Sequence, residues 1–389
     1  MNSKKHILLV GPTDDYYKKS LQCNALVSIL TEKWRLSDYQ SNSCNNILIV
    51  DFNNIEELIL VVLESHKIHP FDCVFSFTEL GTVPSGIISS MLDIPGPSLF
   101  CSLICRDKFR TRELTGSNLL SKINYKLIEN QSGIIDFVEI HGFPVVIKPR
   151  DGMGSHSVSI NYNLHDALEN YKEGYLIESF APGKEFSCET FSINGQHYII
   201  AVTEKVLGGL SGVVEVGHKV VSKKHIDHSL KLWINGVLNN IQLRDGVAHI
   251  EFKKDNENFH FIECHNRPGG DRIWQLVELA TGFDLIRSTI NLFLGNNVQV
   301  PNFDNRCSEI VYFDFISGIV TDVKHPFERT PEWVRWYEWK AKEGVEIKPM
   351  TDSFDRYGGF IIEANNEHEL EARKILIMKE VEVVTIENI

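Results

Sequence analysis

The sequence has no cysteine pair spaced as C-x-x-C, no excess of basic residues and no long apolar run. Its 8 cysteines are scattered over 389 residues, which is typical of reduced thiols in a cytoplasm rather than of a disulfide framework. Lys and Arg number 39 against 52 Asp and Glu, so the net charge of -13 has the wrong sign for binding a nucleic-acid backbone. The apolar run near the start is too short for a signal peptide, and no later run reaches the ~18 apolar residues of a membrane span. These absences predict a cytoplasmic protein with neither a nucleic-acid partner nor a membrane partner.

The length corresponds to about two to three domains of common size. Over roughly the first hundred residues, apolar runs alternate with helix-like stretches, which favours a small parallel sheet of βαβ units. These runs cover residues 6–10, 46–51 and 72–78. Further strand-like runs follow between 143 and 191. Near the end, the spacing of Trp333, Trp336 and Trp339 predicts one packed stripe along a helix.

A lysine and a glycine-rich loop follow one apolar strand. Lys148 ends the run Val145–Lys148, and the loop after it contains Gly152, Gly154 and Ser155. Glycines let backbone amides approach an anion and a neighbouring ammonium neutralises its charge, so the segment suits a phosphate clamp. A β-hairpin with a flexible glycine turn is the structural alternative.

Two glutamates are placed symmetrically about a polar turn. Glu251 and Glu263 are each six residues from Glu257, so in a regular antiparallel hairpin they face each other on one side of the ladder. Directly opposed carboxylates repel each other unless a cation lies between them. An all-oxygen pair favours Mg²⁺ over zinc. The alternative is two solvated glutamates on an exposed face.

Two further segments carry weaker signals. One is a strand, a Pro-Gly turn and a second strand that carry Glu178 and Glu185, although acidic residues around a turn are usually solvated. The other is Glu215-Val-Gly-His218 in glycine-rich surroundings. An exposed loop histidine is the structural alternative there.

Taken together, these motifs resemble the ATP-grasp superfamily, specifically carboxylate-amine ligases of the L-amino acid (dipeptide-forming) ligase type. The resemblance covers nearly the whole chain and includes Asp355-Arg-Tyr-Gly-Gly359 near its end. It implies an α/β (α+β) chain with the ATP-grasp fold, made of an N-terminal pre-ATP-grasp α/β domain, a catalytic domain with a mobile lid subdomain, and a small C-terminal α+β domain. The boundaries that we expect are 1–105, 106–300 with the lid at about 114–177, and 301–389.

The resemblance also implies roles for individual residues. Lys108 and Lys148 would hold the α- and β-phosphates, and the loop at Gly152, Gly154 and Ser155 would fold over them. The hinge Glu178, Ser179 and Phe180 would meet adenine through backbone groups, and Glu185 would take the ribose hydroxyls. Glu251 and Glu263 would bind the metal, and Arg267 would stabilise the transferring phosphoryl group. Glu215 and His218 would line the amino-acid pocket.

Two positions depart from the family pattern. Ser157 stands where many members have the last glycine of the small loop. Many members also have E-x-N-x-R, whereas this chain has Glu263-Cys-His-Asn-Arg267. Adjacent strand residues point to opposite faces, so one of His265 and Asn266 meets the metal unless a bulge intervenes. We expect Asn266, because Mg²⁺ prefers oxygen.

The implied activity is an ATP-dependent ligation of a carboxylate to an amine through an acyl phosphate, giving an amide or a dipeptide with ADP and phosphate. The implied cofactors are ATP and Mg²⁺, with two ions and with Mn²⁺ able to substitute. The partners are small-molecule substrates, and relatives are often homodimers. The alternatives are a ligase that loads a carrier-protein thiol, a biotin-dependent carboxylase subunit, and a catalytically inactive nucleotide-binding protein.

Overall fold

The structure, a computed structural model, describes residues 4–116, 123–154, 156–209, 214–221, 226–256, 258–301 and 306–386. This described part of the chain forms a mixed α/β fold with four sheets. Among the described residues, none of the helices is both long enough and apolar enough to cross a membrane. All eight cysteines are free thiols.

The first sheet is parallel, as the alternating runs predict. Its elements are β1 (Lys5–Val10), α1 (Asp14–Leu21), β2 (Ala25–Thr31), α2 (Asp38–Ser43), β3 (Ile47–Ile49), α3 (Ile55–Ile68), β4 (Cys73–Phe75) and α4 (Glu79–Leu92). The strands lie in the order β3-β2-β1-β4 and all pairs are parallel. Strand β2 is absent from the predicted set of apolar runs. Two helices follow this sheet, α5 (Leu99–Arg106) and α6 (Lys108–Gly116).

The second sheet has four antiparallel strands in the order β5-β8-β6-β7. Its elements are β5 (Tyr125–Leu127), α7 (Gln131–His141), β6 (Val145–Lys148), β7 (Ser159–Asn161), α8 (Leu164–Glu169) and β8 (Leu176–Ser179). Helices α7 and α8 cover one face through a core that includes Ile134, Phe137 and Ala167. This small layer coincides with most of the predicted lid.

The third sheet is the largest, with eight strands in the order β13-β12-β9-β10-β11-β14-β18-β16. The elements that follow β8 are β9 (Lys184–Ile193), β10 (Gln196–Gly208), β11 (Val214–Val220), α9 (His228–Asn240), β12 (Gly246–Asp255), β13 (Asn258–His265), α10 (Ile273–Thr281), α11 (Leu285–Phe293), β14 (Cys307–Tyr312), β15 (Gly318–Lys324), β16 (Val334–Trp339), β17 (Glu346–Ile347), β18 (Gly358–Ala364), α12 (Glu367–Glu380) and β19 (Glu382–Ile386). Strands β17, β15 and β19 form a separate three-stranded sheet. Strands β14, β16 and β18 therefore extend a sheet that begins well before residue 301.

Apolar residues alternate along the strands of the large sheet and bury both of its faces. Ala248, Ile250 and Phe252 of β12 share a core with Trp233 of α9. Val247, on the opposite side, shares a core with α10. His249 and Glu251 point to the same side as Val247, because strand side chains alternate with a period of two. This alternation places the polar residues of β12 on the face of the sheet on which α10 packs.

The prediction of a tryptophan stripe on a helix is wrong, because Trp336 and Trp339 lie on strand β16. A spacing of three places strand residues on opposite faces. Trp339 packs with Trp333 against the core that contains Phe360, and Trp336 packs against the core that contains Ile361. All three rings are half-buried, so they contribute to packing on two sides of the sheet rather than on one stripe.

Candidate active site

A cavity of about 1010 Å³ lies among the first, second and third sheets. It gathers most of the residues that the sequence singles out. Those on its wall are Lys108, Lys148, Gly152, Gly154, Glu178, Ser179, Phe180, Glu185, Glu215, His218, Glu251, Glu263 and Arg267. Ser155 lies outside the described residues, and Asn266 does not belong to the wall.

Glu251 and Glu263 are direct partners across the β12–β13 ladder. Each carboxylate has a lysine and a histidine beside it. Lys205 Nζ lies 2.8 Å from Glu251 and Lys108 Nζ lies 2.8 Å from Glu263. His249 Nε2 lies 2.9 Å from Glu251, and His265 Nε2 lies 3.0 Å from Glu263. The cations that the opposed carboxylates require are therefore present as side chains in this structure.

These neighbours control the charge of both glutamates. Burial alone would raise the pKa of Glu251, but Lys205 lowers it to about 2. Burial opposes ionisation of Glu263 as well, and Lys108 and His265 hold its pKa well below the ordinary value. Both carboxylates are thus ionised at neutral pH. In the described part of the chain, no group of three or more His, Cys, Asp or Glu side chains is already arranged as a metal site.

Lys205 is a central residue of the site that the sequence does not reveal. Its buried ammonium lies 3.2 Å from Glu185, 3.2 Å from Glu215 and 2.8 Å from Glu251. These glutamates come from β9, β11 and β12, and Lys205 comes from β10 between them. Burial would lower the pKa of Lys205, but the three carboxylates raise it well above its usual value.

The structure does not place Asn266 with the two glutamates, contrary to the choice made from the sequence. Asn266 Nδ2 donates to Ser102 Oγ of α5 at 2.8 Å, on the side away from the cavity. His265 lies on the wall instead, beside Glu263 and 3.0 Å from Glu79. Alternation along the strand accounts for this, since Glu263 and His265 are two residues apart and share one face.

Lys148 ends β6 inside a buried cluster of charges. Its Nζ lies 2.6 Å from Glu178, and the same carboxylate accepts bonds from Arg112 of α6 at 2.7 and 3.2 Å. Burial lowers the pKa of Lys148, although Glu178 opposes that effect. The side chain of Glu178 is therefore a structural counter-ion to both cations.

The glycine loop is tethered to the start of α6. Lys108 Nζ donates to the carbonyl of Gly152 at 2.7 Å, and Lys108 N donates to the carbonyl of Arg150 at 2.9 Å. Gly154 has a φ of 63° and Ser157 has a φ of 59°. Ser157 therefore has a left-handed backbone, which costs a residue other than glycine about 1–2 kcal/mol.

The hinge between the second and third sheets is already hydrogen-bonded within the protein. Ser179 N donates to Asn124 O at 2.9 Å, and Phe180 N donates to Pro144 O at 3.1 Å. These two N–H groups are thus engaged, and the structure does not leave them to meet adenine. Strand β8 belongs to the second sheet and β9 to the third, so the Pro-Gly turn joins two layers rather than one hairpin.

The cavity wall also contains Arg267, Glu79 and a cluster around His218. Arg267 Nε donates to Glu79 Oε2 at 2.6 Å. Burial would raise the pKa of Glu79, but His265 and Arg267 keep that pKa well below the usual range. His218 Nε2 lies 3.1 Å from Asp271. Glu79 and Asp271 carry no local sequence signal, because their partners are distant in the chain.

Comparison with known proteins identifies the class of domain that this chain contains. Residues 163–275 match the ATP-grasp domain. The chain therefore carries an ATP-grasp domain, and the predicted fold and the predicted family resemblance are both confirmed.

Individual proteins and solved structures show similarity over most of the chain. The L-arginine-specific L-amino acid ligase of Bacillus subtilis is 20% identical over 298 residues, which are 71% of each chain. The solved structure of an L-amino acid ligase from Bacillus licheniformis covers 100% of both chains with a TM-score of 0.83 at 18% identity. The biotin carboxylase domain of Hydrogenobacter thermophilus 2-oxoglutarate carboxylase, solved with MgADP, has a TM-score of 0.73 at 14% identity over 98% of this chain and 91% of its own.

Proposed function

We propose that this chain is an ATP-dependent carboxylate-amine ligase that joins an amino acid or another small acid to an amine, with ADP and phosphate as the other products. One observation carries the proposal. Lys108, Lys148, the Glu251–Glu263 pair and Arg267 meet in a single cavity, although they come from distant parts of the chain. The relatives that are L-amino acid ligases support the same class.

The nucleotide end of the cavity lies between the second and third sheets. Lys108 and Lys148 are the proposed ligands of the α- and β-phosphates, and the loop at Gly152 and Gly154 is the proposed cover. Positioning and charge neutralisation are the main requirements of phosphoryl transfer. Glu185 is the proposed ribose ligand, and the hinge residues Glu178, Ser179 and Phe180 remain the proposed edge of the adenine site.

Glu251 and Glu263 are the residues that would hold Mg²⁺. The donor set fits, because both side chains are ionised and present the carboxylate oxygens that Mg²⁺ prefers. Bound there, the cation would supply positive charge to the phosphate oxygens. Two ions, and substitution by Mn²⁺, are further parts of the proposal. Lys205 and Lys108 are the side chains that compensate the two glutamates in the present arrangement.

The proposed reaction has two steps. An oxygen of the substrate carboxylate bonds to the γ-phosphorus of ATP, and the bond from that phosphorus to the bridging oxygen breaks. The products of this step are ADP and an acyl phosphate. The amine nitrogen then bonds to the acyl carbon, the bond from that carbon to the phosphate oxygen breaks, and the nitrogen loses one proton to the phosphate or to solvent. Arg267, held by Glu79, would stabilise the transferring group, and Glu215 and His218 would line the amine end.

The acyl phosphate hydrolyses in water, so closure over the site has a chemical purpose. The second sheet, over 123–179, is the proposed closing layer.

A cytoplasmic location and a homodimer remain predictions, as do the three domain boundaries. Among the described residues of the cavity, none favours the thiol-loading, carboxylase or inactive alternative over an amide ligase.

A screen of acids and amines tests the proposal. The purified chain, ATP and Mg²⁺ would be incubated with pairs of amino acids and small acids, and ADP release and product mass would be measured. Amide product that depends on both substrates and on Mg²⁺ is expected. Nucleotide binding without ADP release for any pair, with hydroxylamine also failing to trap an acyl group, would favour the inactive alternative.

A further inference from the structure

Asp271, which no sequence motif indicates, lies at the centre of a charged cluster. Its Oδ2 is 3.1 Å from His218 Nε2 and 2.8 Å from Arg356 Nη2. Its Oδ1 is 2.8 Å from Arg356 Nη1. Burial would raise the pKa of Asp271, but His218 and Arg356 hold it well below the usual value, so Asp271 is a carboxylate and His218 Nε2 must donate.

Both Asp271 and His218 lie on the cavity wall, but the side chain of Asp271 is the more exposed of the two. The side chain of Asp271 is 27% exposed, whereas that of His218 is 2% exposed and that of Arg356 is 6% exposed. His218 Nε2 is engaged by Asp271, and its Nδ1 is inaccessible and has no hydrogen-bond partner among the described residues. A molecule in the cavity therefore meets the carboxylate first, with the imidazole behind it.

The backbone at Asp271 is held in a costly conformation. Asp271 has a φ of 48° and Arg272 has a φ of 59°, both left-handed and neither glycine. Such residues persist where surrounding contacts determine them, at about 1–3 kcal/mol each. Arg272 is fixed by Asp15 at 2.8 Å and by the ring of Trp336 at 4.5 Å from the ring centroid. The strain indicates that the direction of the Asp271 side chain matters.

Arg356 brings the C-terminal part of the chain into the cluster. It belongs to the Asp355-Arg-Tyr-Gly-Gly359 segment, and its guanidinium stacks 3.9 Å from the centroid of the Tyr312 ring. Its Nη2 also donates to the backbone carbonyl of Glu215 at 2.6 Å. Arg356 therefore fixes Asp271 relative to Glu215, the glutamate on the same part of the wall.

We propose that Asp271 is the residue that receives the attacking amine, with Arg356 and His218 as its positioning residues. Oδ1 accepts one bond from Arg356, and a carboxylate oxygen can accept two, so it can accept an N–H of the amine. That bond would direct the nitrogen lone pair away from Asp271. Because Arg356 compensates the carboxylate, Asp271 can bind the neutral, nucleophilic amine without holding the ammonium form strongly.

The inference rests on the proposed function and deepens it, and partial reactions separate the two. Hydroxylamine traps the acyl phosphate and does not need the amine pocket. Asp271→Asn is expected to raise the KM for the amine about tenfold or more, the loss of one hydrogen bond to a charged group. The hydroxamate rate and the KM for the acid are expected to stay within about threefold of the wild type. Asn and Gly tolerate the left-handed backbone, so Asp271→Asn and Asp271→Gly preserve the turn.

Three comparisons complete the test. Asp314→Asn, at an exposed aspartate, is the control and should behave as the wild type. Arg356→Lys should raise the KM for the amine in the same direction, and His218→Ala should have a smaller effect than Asp271→Gly. An unchanged amine KM in both Asp271 variants, or a larger effect from His218→Ala, would overturn the inference. Absence of hydroxamate from the wild type with every acid would instead refute the proposed function.

Discussion

Glu263 lies between Lys108 and His265, so its charge is already balanced within the protein. The same is true of Glu251, between Lys205 and His249. Opposed carboxylates on a hairpin therefore need not signify a metal by themselves, because buried lysines can supply the cation. The metal hypothesis depends on the oxygen donors and on the place of the pair in the cavity.

Glu263→Gln tests this hypothesis at the residue scale. Loss of one charged ligand should reduce turnover at least about a hundredfold, because several kcal/mol of charge stabilisation are removed. Steady-state ADP release against Mg²⁺ concentration is the measurement, with thermal unfolding as the check of the fold. Glu343→Gln, at an exposed glutamate, is the control. Near-normal turnover in Glu263→Gln would contradict the metal site.

At the scale of elements, the buried cluster of Arg112, Lys148 and Glu178 links helix α6 to strands β6 and β8. Glu178 is almost fully buried and is the shared partner of both cations. Breaking one member of a buried ion cluster leaves charge uncompensated in a medium of low dielectric. The cluster is therefore one of the contacts that attach the second sheet to α6.

Glu178→Gln should lower the free energy of unfolding by about 3–5 kcal/mol, because Arg112 and Lys148 lose their carboxylate. Urea denaturation is the measurement, and Glu129→Gln at an exposed glutamate is the control. A loss below about 1 kcal/mol would show that the cluster is not a structural link.

The same residue gives a pH dependence. Burial would raise the pKa of Glu178, but Arg112 and Lys148 lower it below 4.5. The stabilisation from ionised Glu178 is therefore complete when the pH is above the pKa that Glu178 has in the unfolded chain. It is lost as the pH falls through the lower pKa that Glu178 has in the folded protein. The wild type should have a larger free energy of unfolding than Glu178→Gln at neutral pH, and this difference should disappear on acidification below about pH 4.5. An advantage that does not shrink in acid would contradict this assignment.

On the scale of the whole molecule, Lys19 connects the first sheet to the helices that pack on the third. Its Nζ lies 2.6 Å from Glu278 of α10 and 2.6 Å from Asp284, the residue that caps α11. The ammonium also lies 5.1 Å from the centroid of the Trp274 ring, and Trp274 is part of the cavity wall. This contact is therefore a polar link between the first sheet and the helices that pack on the third, beside the apolar core that they share.

Lys19→Met should destabilise the protein by about 1–3 kcal/mol, because two partly buried carboxylates lose their shared cation. Urea unfolding is the measurement, and faster hydrogen exchange should appear in both α1 and α10. Lys231→Met, at an exposed lysine of α9, is the matched control. Unchanged exchange in α10 would indicate that the two layers are held by their apolar contacts alone.

The sequence by itself determined the local features of this protein. The parallel first sheet follows from alternating apolar runs. The partnership of Glu251 with Glu263 is predicted from symmetry about one turn, but the ladder reaches it through a register shift between Glu251 and Phe252 and not as a regular hairpin. The Trp333 to Trp339 spacing misleads, since a period of three can be packed on a strand as well as on a helix.

Tertiary structure alone decided which side chains complete the cavity. Lys205, Glu79, Asp271 and Arg356 come from four separate segments, and nothing near each of them in the chain indicates the charge that it will meet. The choice between Asn266 and His265 likewise depended on which face of β13 points to the cavity. Ion pairs and hydrogen bonds act over a few ångströms in space, whatever the separation along the chain, so these partners were fixed by the packing of the sheets and not by sequence spacing.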